Sequence, residues 1–449
     1  MPFSSVNFLA TLPILLVVYW LLPRAQRRAW LLVSSFVVYM WAGWSDLALL
    51  LTVTTANWAS HRLAPRLRAA RVAMIVFNVA ALAWFKYRLF LADPLGLSTD
   101  VRQTLIIPLG LSFYVFQLIS YQVEIVQGFF PACPPYLSFL LYIFFFPHHQ
   151  AGPIMRPHKF VRFFLEGRRF RLGRFKIGLL ILAWGLFKKI WIADFFLSGR
   201  VNALYGAMEQ SRGARGNVFL LAVAYGLQIY ADFSGYSDIA VGVGRLFGFK
   251  LDRNFHQPYL ASGPAEFWRR WHVTLSQWLR DYLYIPLGGN RLGLRRTRIN
   301  LLAVMLIGGL WHGAAWTFAF WGLLHGLYLL LERSTEGLFR SVPRVKFLVF
   351  QALIMLAWLP FRAHRAGDLL ALVSRSDAWL APETLWAAAL FAGVIAFSRL
   401  EDGLERRFPA IVKAAVAVPD LALAAGCAAA ALGFFAGIKY EVMFIYQRF

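Results

Sequence analysis

The chain is 449 residues long, 59% hydrophobic and only 15% charged, with a mean hydropathy of +0.57 and a net charge of +24. A soluble domain carries about a quarter charged residues, whereas many runs here approach the roughly 17–25 apolar residues that cross a bilayer. Composition therefore excludes a soluble globular protein and specifies an all-α polytopic membrane protein. The basic excess does not argue for nucleic acid. Most Lys and Arg fall in short loops between apolar runs, as the positive-inside rule predicts, where they suit anionic lipid headgroups of the membrane or an anionic soluble donor. Cys133 and Cys427 are far apart and suggest neither a disulfide framework nor a metal site.

The first apolar run, 8–22, lacks a basic segment before it and is followed by Pro23-Arg24, so it reads as a retained helix and not a removed signal peptide. Arg24, Arg27 and Arg28 place the next loop in the cytoplasm. Spans follow at 29–41, 47–60 and 72–92, with basic residues from His61 to Arg71 inside and an outer loop at 93–100. Lys86 and Arg88 break the rule, and such residues snorkel or pair. The run 104–125 carries Gln117, Ser120, Gln122 and Glu124, and 136–146 is too short to span before Pro147-His148-His149. Short, interrupted apolar segments with buried polar groups are where membrane proteins line cavities. His148 and His149 are adjacent and make a poor metal pair. A basic loop at 156–176 returns inside; a span at 177–193, interrupted by Lys188-Lys189, and one from Phe219 into the polar cluster 230–238 follow.

The segment 265–284, AEFWRRWHVTLSQWLRDYLY, is expected to form one Trp-rich interfacial or re-entrant helix. At about 100° per residue, Arg269, His272, Ser276 and Arg280 would share a stripe about 80° wide. The run 310–326, LWHGAAWTFAFWGLLHG, holds His312 and His325 inside an apolar stretch. Ionisable groups at membrane depth mark function by default, and histidine moves protons near neutral pH. The plainer alternative is a hydrogen-bonding peg between helices. If the flanking basic stretches are both cytoplasmic, 300–332 goes out and back in arms of about 24 Å, too short for a 30 Å core. Spans near 347–359, 385–397 and 411–436 complete a count of about 11, with two or three re-entrant pieces.

No nucleotide-binding loop, dinucleotide fingerprint, HExxH or Gly-x-Ser-x-Gly elbow occurs. A histidine base with Arg and Tyr partners suits group transfer to a hydroxyl. Proton-coupled transport uses similar parts, and residue types alone do not separate the two.

Four stretches, FFPHHQAGPIMRP (145–157), LQIYADFSGYSDIAVGVGRLFGF (227–249), NFHQPYLASGPAEFWRRWHVTLSQWLRDYLYIPLGGNR (254–291) and IGGLWHGAAWTFAFWGLLHG (307–326), together resemble the membrane-bound O-acyltransferase family. PFSSVNFL at the start and FIYQRF at the end extend the resemblance, which is strongest to the bacterial branch that O-acetylates exopolysaccharides such as alginate. It implies one integral-membrane domain over 1–449, with a core at about 104–331 and peripheral helices at 1–103 and 345–449. The implied fold is a ring of helices around a thinned centre in the bacterial inner membrane. It puts the catalytic histidine of the Trp-His-Gly motif on His312 and that of the FWxRWH motif on His272. Arg269, Ser276, Arg280, Asp281, Trp311, His325, Asp232 and Tyr236 are the expected substrate-binding groups, with no metal. Implied too are acetyl-CoA as donor with no bound cofactor, a polysaccharide acceptor, and a periplasmic SGNH-type transferase or another polysaccharide-modification protein as partner. D-alanyl export to teichoic acid is the alternative within the family.

Overall fold

The computed structural model describes residues 3–41, 43–92, 108–149, 152–165, 168–210, 217–335, 337, 340–363, 365–374 and 382–417. Among these the regular elements are all helices. The outer loop expected at 93–100, Cys427, the terminal FIYQRF and the distal part of the span at 411–436 lie outside the described residues. The chain divides into two units, each discontinuous in sequence: Met1–Gly185 with Tyr236–Asp252, and Leu186–Gly235 with Arg253–Phe449.

In the first unit, α1 (Val6–Leu21), α2 (Arg24–Met40), α3 (Trp44–Leu63) and α4 (Arg68–Ala92) are followed by α5 (Leu111–Val126), α6 (Tyr136–Phe144), a helical turn α7 (Phe146–His149), α8 (Pro157–Leu165) and α9 (Leu172–Leu186). Ser5 starts α1 by accepting the Phe8 N–H on its hydroxyl at 3.2 Å, which satisfies one of the orphan donors of a helix N-terminus. The polar residues of the apolar helices bond to one another. Asn57 and Asn78 exchange amide bonds at 2.9–3.0 Å, Gln122 donates to Asn57 Oδ1 at 2.9 Å, and Arg71 donates to Gln122 Oε1 at 3.0 Å. Lys86, which breaks the charge rule, is buried and donates to Ser112 Oγ at 3.3 Å. Gln117 and Glu124 meet His148 and His158 at 3.1 and 3.0 Å. These contacts make them interhelical pegs, a role polar side chains fill where water is absent.

The second unit begins in a π-helix (Phe187–Ser198) that continues into α10 (Gly199–Gln210). Then come α11 (Val218–Leu246, shared with the first unit from Tyr236 onward), a 3₁₀ turn (Pro258–Leu260), α12 (Pro264–Arg270), α13 (Val273–Leu279) and a π-turn (Arg280–Tyr284). The hairpin α14 (Gly293–His312) and α15 (Trp316–Thr335), then α16 (Pro343–Arg362), α17 (Ala366–Ser374) and α18 (Pro382–Ala417), complete it. Both arms of the hairpin reach 20 residues, because the basic residues Arg295, Arg296, Arg298 and Arg333 continue the helices beyond the apolar stretch.

Among the described residues four helices are both long and apolar enough to cross a membrane: Arg68–Arg88, Val218–Leu246, Pro343–Arg362 and Glu383–Phe408; Val6–Leu21 and Leu111–Val126 are shorter apolar helices. The interruption read at Lys188-Lys189 is no break in the chain's helicity. The π-helix carries both lysines inward, and both are buried.

Candidate active site

The single helix expected over 265–284 is two helices with a break at Trp271-His272. Trp271 is extended and His272 is left-handed (φ 41°, ψ 54°). Positive φ is uncommon for a residue with a Cβ, and here the backbone on both sides is tied down. The extended segment before the 3₁₀ turn runs alongside: His256 N donates to Arg270 O and Asn254 O accepts from Val273 N, each at 2.9 Å. Thr274 Oγ1 donates to Asn254 Oδ1 at 2.6 Å. The backbone groups released by the break are thus satisfied by a neighbouring strand-like segment instead of by the helix. Trp271 anchors the kink from within, stacked on Phe267 at 5.7 Å and packed on Trp358 at 4.7 Å.

The break dissolves the predicted stripe. His272 is fully buried, Ser276 is half-buried and donates to Trp271 O at 3.3 Å, and Arg269 and Arg280 are exposed. Arg280 pairs with the adjacent Asp281 at 2.6 Å. Aligning these residues requires an unbroken helix, and the break falls between Arg269 and the rest.

What converges instead is a ladder of rings. His272 lies edge-on to Phe233 at 4.7 Å and to Trp311 at 6.0 Å. Trp311 meets His312 at 4.9 Å, and His312 meets Trp321 at 5.1 Å and Phe361 at 5.3 Å. Trp321 then contacts His325 at 4.5 Å. Three of the histidines singled out from sequence thus fall on one buried line of alternating imidazoles and indoles. His325 is also flanked by Phe267, Trp268 and Tyr328 at 5.1–6.0 Å, and among the described residues neither of its ring nitrogens meets a hydrogen-bond partner.

The hairpin places two of the three. A Cβ on Gly309 would lie 2.3 Å from Phe318 O, and one on Gly322 would lie 2.3 Å from Met305 O, so only glycine permits this helix separation. Gly313, after His312, leaves room for the Phe318 ring, which a Cβ would meet at 2.0 Å. The Trp-His-Gly sequence therefore has a steric cause for its third member.

The model matching residues 36–358 is that of the membrane-bound O-acyltransferase family. The chain belongs to this family. Among its relatives, the probable alginate O-acetylase of Azotobacter vinelandii is 39% identical over 381 residues, 81% of this chain and 75% of that protein. The peptidoglycan O-acetyltransferase of Helicobacter pylori is 34% identical over 407 residues, 80% of this chain and 76% of that protein. The teichoic acid D-alanyltransferase of Streptococcus thermophilus is 30% identical over 241 residues, 51% of this chain and 58% of that protein. As a membrane-bound O-acyltransferase, the protein is a multi-pass membrane enzyme that transfers acyl groups.

The remaining expected site residues go elsewhere. Asp232 is engaged by Lys189 at 2.5 Å, and Lys189 also holds Asp194 at 2.8 Å. Tyr236 falls in the first unit, stacked on Phe3 at 5.1 Å. The buried charge cluster of Lys189, Asp194 and Asp232, with Lys188–Glu401 at 3.1 Å beside it, is absent from the sequence reading. Its signal was present: opposite charges in two predicted spans must meet to be tolerated. Among the described residues no group of three His, Cys, Asp or Glu is placed to hold a metal.

Proposed function

We propose that the enzyme moves acetyl groups from acetyl-CoA on the cytoplasmic side of the bacterial inner membrane to an outward-facing hydroxyl, for O-acetylation of an alginate-like exopolysaccharide. The observation that carries this reading is the burial of His312 beside Trp311, with His272 on the indole's other contact, in an apolar surround. His312 accepts the proton of the acceptor hydroxyl as its oxygen attacks the thioester carbonyl. The C–S bond then breaks, and the departing thiolate takes up that proton as the ester forms. One positioned general base contributes about 10²–10⁴-fold. His272 orients the donor or stabilises the developing oxyanion. The exposed arginines at 291–298, which lead into and open α14, attract the donor's phosphates. The acceptor is the sugar or the serine of a periplasmic SGNH-type partner, and relatives named for alginate and peptidoglycan O-acetylation support an acetyl cargo.

The two D-alanyltransferase relatives match about half the chain. Family membership favours acyl transfer over proton-coupled transport. Proteoliposomes given acetyl-labelled acetyl-CoA on the side bearing the arginines at 291–298 test the proposal. Alkali-labile label on an alginate acceptor on the opposite side is expected. Transfer only of D-alanine from a carrier protein, or passage of an intact solute without ester formation, would overturn it.

A further inference from the structure

A cavity of about 210 Å³ in the first unit is walled by Arg24, Arg27, Arg28 and Arg168, with no carboxylate among its described lining residues. Two of the guanidinium groups are fixed in place. Arg27 donates to the carbonyls of Leu22, Arg168 and Trp20 at 2.9–3.1 Å and lies over the Tyr19 and Trp20 rings at 5.4 and 4.9 Å. Arg168 donates to Phe163 O at 2.9 Å and lies over Phe163 and Phe249 at 5.0 and 5.3 Å. Arg24 and Arg28 have no ion pair and no side-chain hydrogen-bond partner among the described residues. Both stand on the first turns of α2, which opens at Pro23 with no side-chain cap and no acidic residue. Positive side chains at the positive end of a helix dipole repel it, and none of the cavity's described lining residues is acidic.

We infer that this cavity is a binding site for a net-anionic phosphodiester, the headgroup of a membrane lipid. A helix N-terminus beside arginines suits phosphate, and two pre-set guanidinium groups lower the ordering cost of holding it. Size selects the source. Pockets that enclose drug-sized ligands run to about 300–1,000 Å³, so this one takes a phosphate and its immediate substituents, not a whole nucleotide. Leu165 lines the cavity and is 49% exposed, an apolar surface that suits an acyl chain. The site is independent of the acyl-transfer reading.

The full-length protein is tested in nanodiscs of phosphatidylcholine with or without phosphatidylglycerol. Phenylglyoxal modification of Arg24 and Arg28 in the unaltered protein is expected to fall when phosphatidylglycerol is present; equal modification in both membranes overturns the site. In native mass spectrometry of detergent-purified protein, R24Q/R28Q is expected to retain about 25-fold less phosphatidylglycerol, about fivefold for each charge near the surface. R340Q/R344Q, which alters two exposed arginines outside the cavity lining, is expected to retain it all. Equal retention by the two variants, each shown to be monodisperse, refutes the inference. Displacement of the lipid by millimolar inorganic phosphate would assign the same chemistry to a free anion and overturn the lipid as occupant.

Discussion

Gly309 and Gly322 meet across the hairpin of α14 and α15 so closely that a Cβ on Gly309 would sit 2.9 Å from the Cα of Gly322. Lipid offers no hydrophobic drive for helices to associate, so close backbone approach and dispersion take its place. The contact also fixes the phase of the two helices, and with it the 5.1 Å meeting of His312 and Trp321.

Gly322→Ala should therefore damage both stability and turnover. Its Cβ would meet the Met305 carbonyl at 2.3 Å, a backbone atom that cannot swing aside. Overpacking of this kind costs about 1–3 kcal/mol. Gly206→Ala, whose Cβ would meet nothing within 4 Å, is the matched control and should melt at or above the unaltered temperature. Fluorescence-detected size-exclusion melts and acetyl transfer measure the two effects. A Gly322→Ala protein as stable and as active as the control would show that the helices do not pack this closely.

His312→Ala should abolish acetyl transfer, a loss of about 10²–10⁴-fold for a missing general base, while the protein still inserts in the membrane. His272→Ala should cost less, because orientation and charge stabilisation survive partly in the remaining groups. Initial rates at equal expression compare them. If His272→Ala is the more damaging, the two roles are exchanged.

Much of this site is legible in the chain. His272, His312 and His325 stand out because ionisable groups are rare in apolar runs, and all three join the ring ladder. Trp311 joins it as well, because it immediately precedes His312. What periodicity could not show is the break at His272. A helical stripe is a statement about local spacing, whereas the kink is held by Asn254 and His256, residues 16 or more positions earlier. Arg280 and Arg269 were drawn into the site by that assumed periodicity. Tyr236 and Asp232 sit four residues apart on one helix, yet one packs on Phe3 and the other on Lys189, a division only the tertiary partners decide.

His325 separates packing from chemistry. A buried polar group without a partner costs about 1–3 kcal/mol, and such groups persist where they serve a function. His325→Phe keeps the ring against Trp268 and Trp321 and removes the unpaired nitrogens. The variant should melt higher than the unaltered protein yet transfer acetyl at least tenfold more slowly. Full activity with raised stability would leave His325 as core packing and remove it from the substrate-binding set.

Lys189 is fully buried and stands 2.8 Å from Asp194 and 2.5 Å from Asp232. Deleting one partner of a buried ion pair is strongly destabilising, about 3–5 kcal/mol, because the other charge is left without compensation. The cluster holds two carboxylates against one ammonium, so the damage depends on which member is removed. Lys189→Met takes the shared ammonium away from both carboxylates. Asp194→Asn leaves the pair of Lys189 and Asp232 intact and keeps an amide oxygen that can still accept from the ammonium. Lys189→Met should therefore yield little folded protein, and what folds should melt far lower than Asp194→Asn. The two variants are compared by melting in the same detergent. Equal melting temperatures would mean that the ammonium is not what holds the carboxylates, and that packing around the π-helix carries this part of the second unit.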